Sequence, residues 1–138
     1  MSGQPSAIQV LTDYYVAFST TDVATFLPYF YEPSTLIGPQ GVLAAPTREV
    51  LATIFTPTME ALRARGFSRS EFRVRQARTL SETAELFTGI ATRFKKDGQE
   101  LERVGFTYIM HKSAIGWKIA VVVLHDANAD AGDALRGG

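Results

Sequence analysis

From Ser68 to His125 the chain alternates apolar and polar residues over long stretches. The pattern breaks in three places: near Ser81-Glu82, at Asp97-Gly98, and at Ser113-Ala114-Ile115-Gly116. Side chains of a strand point to opposite faces in turn, so this alternation specifies half-buried strands. Asp-Gly between two such runs is a strong hairpin signal. The second half of the chain is therefore expected to be an antiparallel meander of four strands. A sheet with one apolar face needs a covering layer, and that layer must come from residues 5–66.

Those residues read as helices. Pro5 suits a first helical turn, and Ile8, Leu11, Tyr15 and Phe18 follow at helical spacing, with Tyr14 beside them. Asp22 opens a short second helix that carries Val23, Phe26 and Leu27 and ends at Pro28. Residues 34–44 form two short strands around Gly38-Pro39-Gln40-Gly41. Thr47 caps a third helix with Val50, Leu51, Ile54, Phe55, Met59 and Leu62 on its apolar face, kinked at Pro57 and closed by Gly66. The fold class is α+β, a single domain over 1–138 with an ordered core of about 5–126. A small, polar tail over 127–138 is expected to be flexible.

Composition narrows the function classes. Formal net charge is zero, which removes any global field favouring nucleic acid or an anionic membrane. There is no cysteine, so disulfides, thiolate metal sites and a cysteine nucleophile are excluded. The two histidines have no metal-ligand spacing, and no metal or cofactor is expected. No apolar run approaches the ~20 residues of a membrane span. Nor does the N-terminus resemble a signal peptide, so a soluble cytoplasmic protein is expected. Arg69, Arg73, Arg75 and Arg78 lack interleaved exposed aromatics and read as a solvated face or dimer edge rather than a nucleic-acid site.

Pairing the strands on paper assigns two faces. A turn at Asp97-Gly98 sets Lys96 opposite Gln99, Arg93 opposite Glu102, Ala91 opposite Val104, Gly89 opposite Phe106 and Phe87 opposite Tyr108. A loop at 113–116 sets Met110 opposite Ile119, Tyr108 opposite Val121, Phe106 opposite Val123 and Val104 opposite His125. A turn at Ser81-Glu82 sets Arg78 opposite Glu85, Gln76 opposite Phe87 and Val74 opposite Gly89. Apolar residues then meet apolar ones, with opposite charges at the rims. Glycines facing bulky residues indicate a strongly curved sheet.

The inner face so defined, with the helices over it, outlines a ligand pocket of Tyr15, Phe55, Met59, Gln76, Phe87, Phe106, Tyr108, Val121 and His125. Its polar members are Gln76, the Tyr108 hydroxyl and His125. His125 and Tyr108 are the candidate catalytic or orienting groups, one a base near neutral pH and the other a hydrogen-bond donor. Each also has a plain structural role open to it, as a strand-end histidine and a core tyrosine. The outer face, with Leu86, Ile90, Ile109, Val122 and Leu124, is too apolar to leave in water, and a symmetric homodimer would cover it.

Two segments carry a family resemblance, YFYEPSTLIGPQG at 29–41 and GWKIAVVVLH at 116–125. With three helices, a short hairpin and a long meander, they resemble the nuclear transport factor 2-like superfamily, including its SnoaL-like and cystatin-like members. The resemblance spans about residues 5–126. It implies a cone-shaped fold, three N-terminal helices packed on a strongly curved antiparallel sheet, with an internal pocket and dimerisation through the sheet. Its ketosteroid isomerases place a catalytic aspartate in the first strand, in a segment similar to LIGPQG, and at the matching place this chain has Gly38, which cannot act as a base. The expected function is binding of a small apolar or aromatic molecule oriented by His125 and Tyr108. Two alternatives stay open: a cofactor-independent isomerase, dehydratase or polyketide-cyclase-like enzyme using the same two residues, and a structural or partner-binding module with a filled cone.

Overall fold

The computed structural model describes residues 4–127. The expected polar tail lies outside the described residues apart from its first position. Helix α1 spans Ala7–Phe18, and its first turn is closed by Ser6, whose Oγ accepts from the Gln9 N–H at 3.3 Å. Pro5 thus precedes the cap rather than entering the helix. The buried stripe is Val10, Leu11, Tyr14, Tyr15 and Phe18, while Ile8 sits at its exposed margin. Helix α2 is the single turn Val23–Phe26, capped by Asp22, and passes into a 3-10 turn over Leu27–Tyr29 that contains Pro28. Helix α3 spans Arg48–Ala64, with Thr47 Oγ1 accepting from the Val50 N–H at 3.3 Å. It continues through Pro57 and buries Leu51, Phe55, Met59 and Leu62. Gly66, at φ +86°, takes the left-handed conformation just beyond its end.

The strands are β1 Phe30–Gly38, β2 Gly41–Ala45, β3 Phe67–Ser81, β4 Ala84–Lys95, β5 Glu100–Ser113 and β6 Gly116–His125. They form one curved, unclosed sheet in the order β2-β1-β6-β5-β4-β3. The α+β expectation holds, with one refinement. The last strand, β6, pairs parallel with β1, so the sheet is mixed rather than wholly antiparallel. This pairing carries the β1–β2 hairpin to the far side of the sheet, where its Pro39-Gln40 turn faces α3.

The expected β4–β5 register is present from Arg93–Glu102 through Ala91–Val104 and Gly89–Phe106 to Phe87–Tyr108. At the turn the register differs. The loop is Lys96-Asp97-Gly98, closed by Lys95 N–H donating to Gln99 O, and Leu101 bulges beside it. A glycine at positive φ followed by a bulge is the usual way a three-residue hairpin loop restores strand twist.

Two other bulges change which side chains face inward. Met110 pairs with Ile119 as expected, but Ala120 is an extra residue, so Ile109 pairs with Val121 and Tyr108 with Val122. A one-residue slip turns every following side chain over. Val122 and Leu124 therefore face inward, correcting their assignment to the dimer face. Val121, Val123 and His125 face outward, correcting their assignment to the inner face. In β3, Arg75 is the extra residue, so Gln76 pairs with Thr88 rather than Phe87 and is exposed. Gln76 is accordingly not a pocket residue.

The core lies between the helices and the concave face. Tyr14 is at its centre, with ring contacts to Phe18, Phe26, Phe30 and Tyr108. Phe26, Phe30 and Phe106 are completely buried. Curvature brings Arg73 of β3 against β4 at Gly89, where a Cβ would lie 2.0 Å from the Arg73 carbonyl oxygen. Only glycine fits there.

Candidate functional site

The concave face does not close on the helices completely. A cavity of about 450 Å³ remains, within the range of small-molecule sites. Tyr14, Tyr15 and Phe18 of α1 form one wall, and Ile54, Phe55 and Thr58 of α3 another. The hairpin contributes Leu36 through Gly41 and Leu43 at the rim, and the sheet contributes Ala91, Arg93, Val104, Phe106, Tyr108, Val122 and Leu124. Most of this lining is hydrocarbon. The polar groups are few and lie apart from one another in the chain.

Of the residues expected from the sequence, Tyr15, Phe55, Phe106 and Tyr108 line the cavity. Met59 and Phe87 are buried in the surrounding core without lining it. Val121, Gln76 and His125 are elsewhere. His125 lies flat over Gly105 on the convex face, where a Cβ on Gly105 would be 2.4 Å from its Nδ1. Its Nδ1 lies 3.1 Å from the Asp126 carbonyl oxygen, which can only accept, so Nδ1 carries the proton. In the neutral ring Nε2 accepts from Thr107 Oγ1 at 3.1 Å, and Thr107 then accepts from Thr88 Oγ1 at 3.1 Å. The imidazole is thus the end of a polar ladder across the outer sheet face and has no access to the cavity.

Tyr15 Oη and Tyr108 Oη are hydrogen-bonded at 2.8 Å in full burial. Burial drives the ionisation of Tyr14, Tyr15 and Tyr108 well above the ordinary tyrosine value. Their mutual proximity adds to the shift, and the positive charge of Arg93 opposes it. These hydroxyls are neutral donors and acceptors at any physiological pH, suited to orienting a carbonyl or hydroxyl and not to taking a proton.

Arg93 is the residue that the sequence reading passed over. It lies two positions beyond Ala91 on the same face of β4, so the correct Arg93–Glu102 pairing already placed it inward. Its side chain is only 14% exposed. Nη1 donates to Glu102 Oε2 at 2.5 Å, and the guanidinium carbon is 5.6 Å from the centre of the Phe18 ring. Among the described residues, Nε is buried with no hydrogen-bond partner. Glu102 also accepts from Arg65 at 3.0 Å. Partial burial by itself would raise the Glu102 carboxyl, but the hydrogen bonds from Arg65 and Arg93 hold it below its usual value. Gly38 stands at the cavity rim and supplies no acid–base group. Among the described residues, no group of three or more His, Cys, Asp or Glu is placed to hold a metal ion.

A family model described as "NTF2-like protein (DUF6841)" matches residues 5–127. The chain belongs to this family. The fold of this NTF2-like protein recurs widely among solved structures. An NTF2-like protein of unknown function from Shewanella oneidensis superposes with a TM-score of 0.67 at 19% identity, covering 86% of this chain and 95% of that one. A domain of unknown function with a cystatin-like fold from Nostoc punctiforme gives 0.70 at 15% identity, covering 93% and 78%. A ketosteroid isomerase-like protein from Erwinia carotovora gives 0.64 at 16% identity, covering 86% and 91%. At these identities the likeness establishes the cone fold. No curated protein matches the chain.

Proposed function

We propose that this NTF2-like protein binds a small, mainly apolar molecule inside its cone. The observation that supports this reading is the cavity itself. Most of its lining is hydrocarbon, its volume of about 450 Å³ suits a molecule of one or two rings, and a few polar groups converge on it. A purely structural module would be expected to fill this space with side chains, because a void forfeits packing contacts. The enzymatic alternative depended on His125 as base, and His125 faces the other way. Tyr108 and Tyr15, as a neutral hydrogen-bonded pair, orient the ligand rather than exchange protons with it.

The test is thermal denaturation with a chemically broad panel of small aromatic and alicyclic molecules. A ligand that binds only the folded state at 100 times its Kd adds about 2.7 kcal/mol, which appears as several degrees in Tm. Val104→Phe, which projects a ring into the cavity, should abolish that stabilisation. A panel in which nothing stabilises the native chain would sink the binding reading.

The convex face carries a second proposal. Leu86, Ile90 and Ile109, joined by the outward-turned Val121 and Val123, form a half-buried apolar surface facing away from the helices. A second copy of the chain is proposed to cover it, giving a cytoplasmic homodimer. Ile109→Glu puts a charge at the centre of this surface. Sedimentation should show a dimer for the native chain and a monomer for the variant, whereas a native monomer would contradict the proposal. Among the described residues, no helix is long and apolar enough to cross a membrane.

A further inference from the structure

Arg93 offers an anion something that the rest of the cavity does not. Its charge lies over the Phe18 ring, it lines the cavity, and its Nε is buried without a partner among the described residues. Nε belongs to the side-on edge of the guanidinium, the edge that grips a carboxylate with two parallel hydrogen bonds. The opposite side, Nη1, is already committed to Glu102. Because Glu102 is shared between Arg65 and Arg93, the three side chains together carry a net charge of +1. Arg65 is nearly half exposed and solvated, so the unmet demand lies at Arg93, whose side chain is 14% exposed and whose buried Nε a bound carboxylate would satisfy.

We infer that the ligand is an amphiphile, an apolar body of one or two rings bearing a single carboxylate, and that Arg93 anchors the carboxylate. This rests on the binding function proposed above and names the chemical class that the site takes. One unsatisfied Nε on the side-on edge of a guanidinium matches a carboxylate. A phosphate dianion would call for more donors than one guanidinium edge supplies. The aromatic wall of Tyr14, Phe18, Phe55 and Phe106 receives the rings. Glu102 tunes the site, holding the guanidinium in place while competing with the ligand for its charge.

The experiment is calorimetric titration of the full chain with 1-naphthylacetate and, as its neutral counterpart, 1-naphthylacetamide. On the native protein the acid should bind about tenfold or more tightly than the amide, as expected for a charge-assisted hydrogen bond in a desolvated site. Arg93→Leu should erase the preference and leave amide affinity within about threefold. Glu102→Gln should tighten the acid and leave the amide unchanged, because it removes the competing carboxylate. This opposite sign keeps the test decisive if Arg93→Leu fails to fold. Equal binding of acid and amide to the native chain would overturn the carboxylate assignment and leave the pocket reading intact, as would acid affinity that is unchanged or weaker in Glu102→Gln. Failure of both probes to bind the native chain, where the broad panel does yield ligands, would overturn the carboxylate assignment alone, and failure of the probes and the panel together would overturn both readings.

Discussion

Gly89→Ala should destabilise the protein by about 3 kcal/mol or leave it insoluble. The added Cβ would lie 2.0 Å from the Arg73 carbonyl oxygen, 2.9 Å from its carbon and 2.9 Å from Phe106 Cζ. The first two are backbone atoms of the neighbouring strand, so rotating a side chain gives no relief. β3 would have to move away from β4 at the bend that makes the sheet concave, and Phe106, completely buried, would lose its seat. Gly38→Ala is the control. No atom of the described residues lies within 4 Å of its Cβ position, and a change within about 0.5 kcal/mol is expected. Urea denaturation of both variants measures the difference directly. A Gly89→Ala variant as stable as the native chain would mean that the strands do not approach as described.

Alkaline pH should unfold the protein cooperatively. Tyr14, Tyr15 and Tyr108 have folded-state ionisation raised above that of the unfolded chain, by burial first and then by one another. The sign follows from proton counting. Above about pH 10, where exposed tyrosine ionises, the unfolded state has lost protons that the folded state still holds. Stability is therefore fully present below about pH 10 and falls as pH rises toward the folded-state values. Each such tyrosine contributes a slope of about 1.4 kcal/mol per pH unit, so three contribute about 4. Against a total of about 5–15 kcal/mol, this exhausts the fold within a few units. Tyrosinate absorbance from these three should rise together with loss of circular dichroism. Tyr15→Phe should reduce the slope by about a third. Smooth ionisation near pH 10 with the fold intact would contradict their burial.

The meander and its central register were legible because the residues of β4 and β5 differ in polarity from one face to the other. Thr88, Thr92 and Thr107 mark the outer face, while Phe87, Ala91 and Phe106 mark the inner one, so a slip would have been visible. In β6 the run Ile119-Ala120-Val121-Val122-Val123-Leu124 fits either face equally well. The bulge at Ala120 leaves no trace in such a run, and everything beyond it, His125 included, was turned over. The same happened at Arg75, where Arg73, Arg75 and Arg78 are all long, exposed side chains that tolerate either direction. Arg93 was legible and was missed. Its pairing with Glu102 reads as a rim salt bridge until the curvature of the sheet, a tertiary property, draws it over the Phe18 ring. Cavity residues such as Ile54 and Thr58 have no sequence signal of their own, since a helix face bordering a void has the same pattern as one packed on a core.

Methyl-resolved NMR of the protein titrated with 1-naphthylacetamide tests the central claim most directly, because three consecutive valines report on opposite faces. The expected result is ligand-dependent shifts at Val104, Val122, Leu124 and Leu36, with Val121 and Val123 unmoved. Shifts at Val121 and Val123, or none anywhere at saturating probe, would contradict the internal pocket and the β6 register on which it depends.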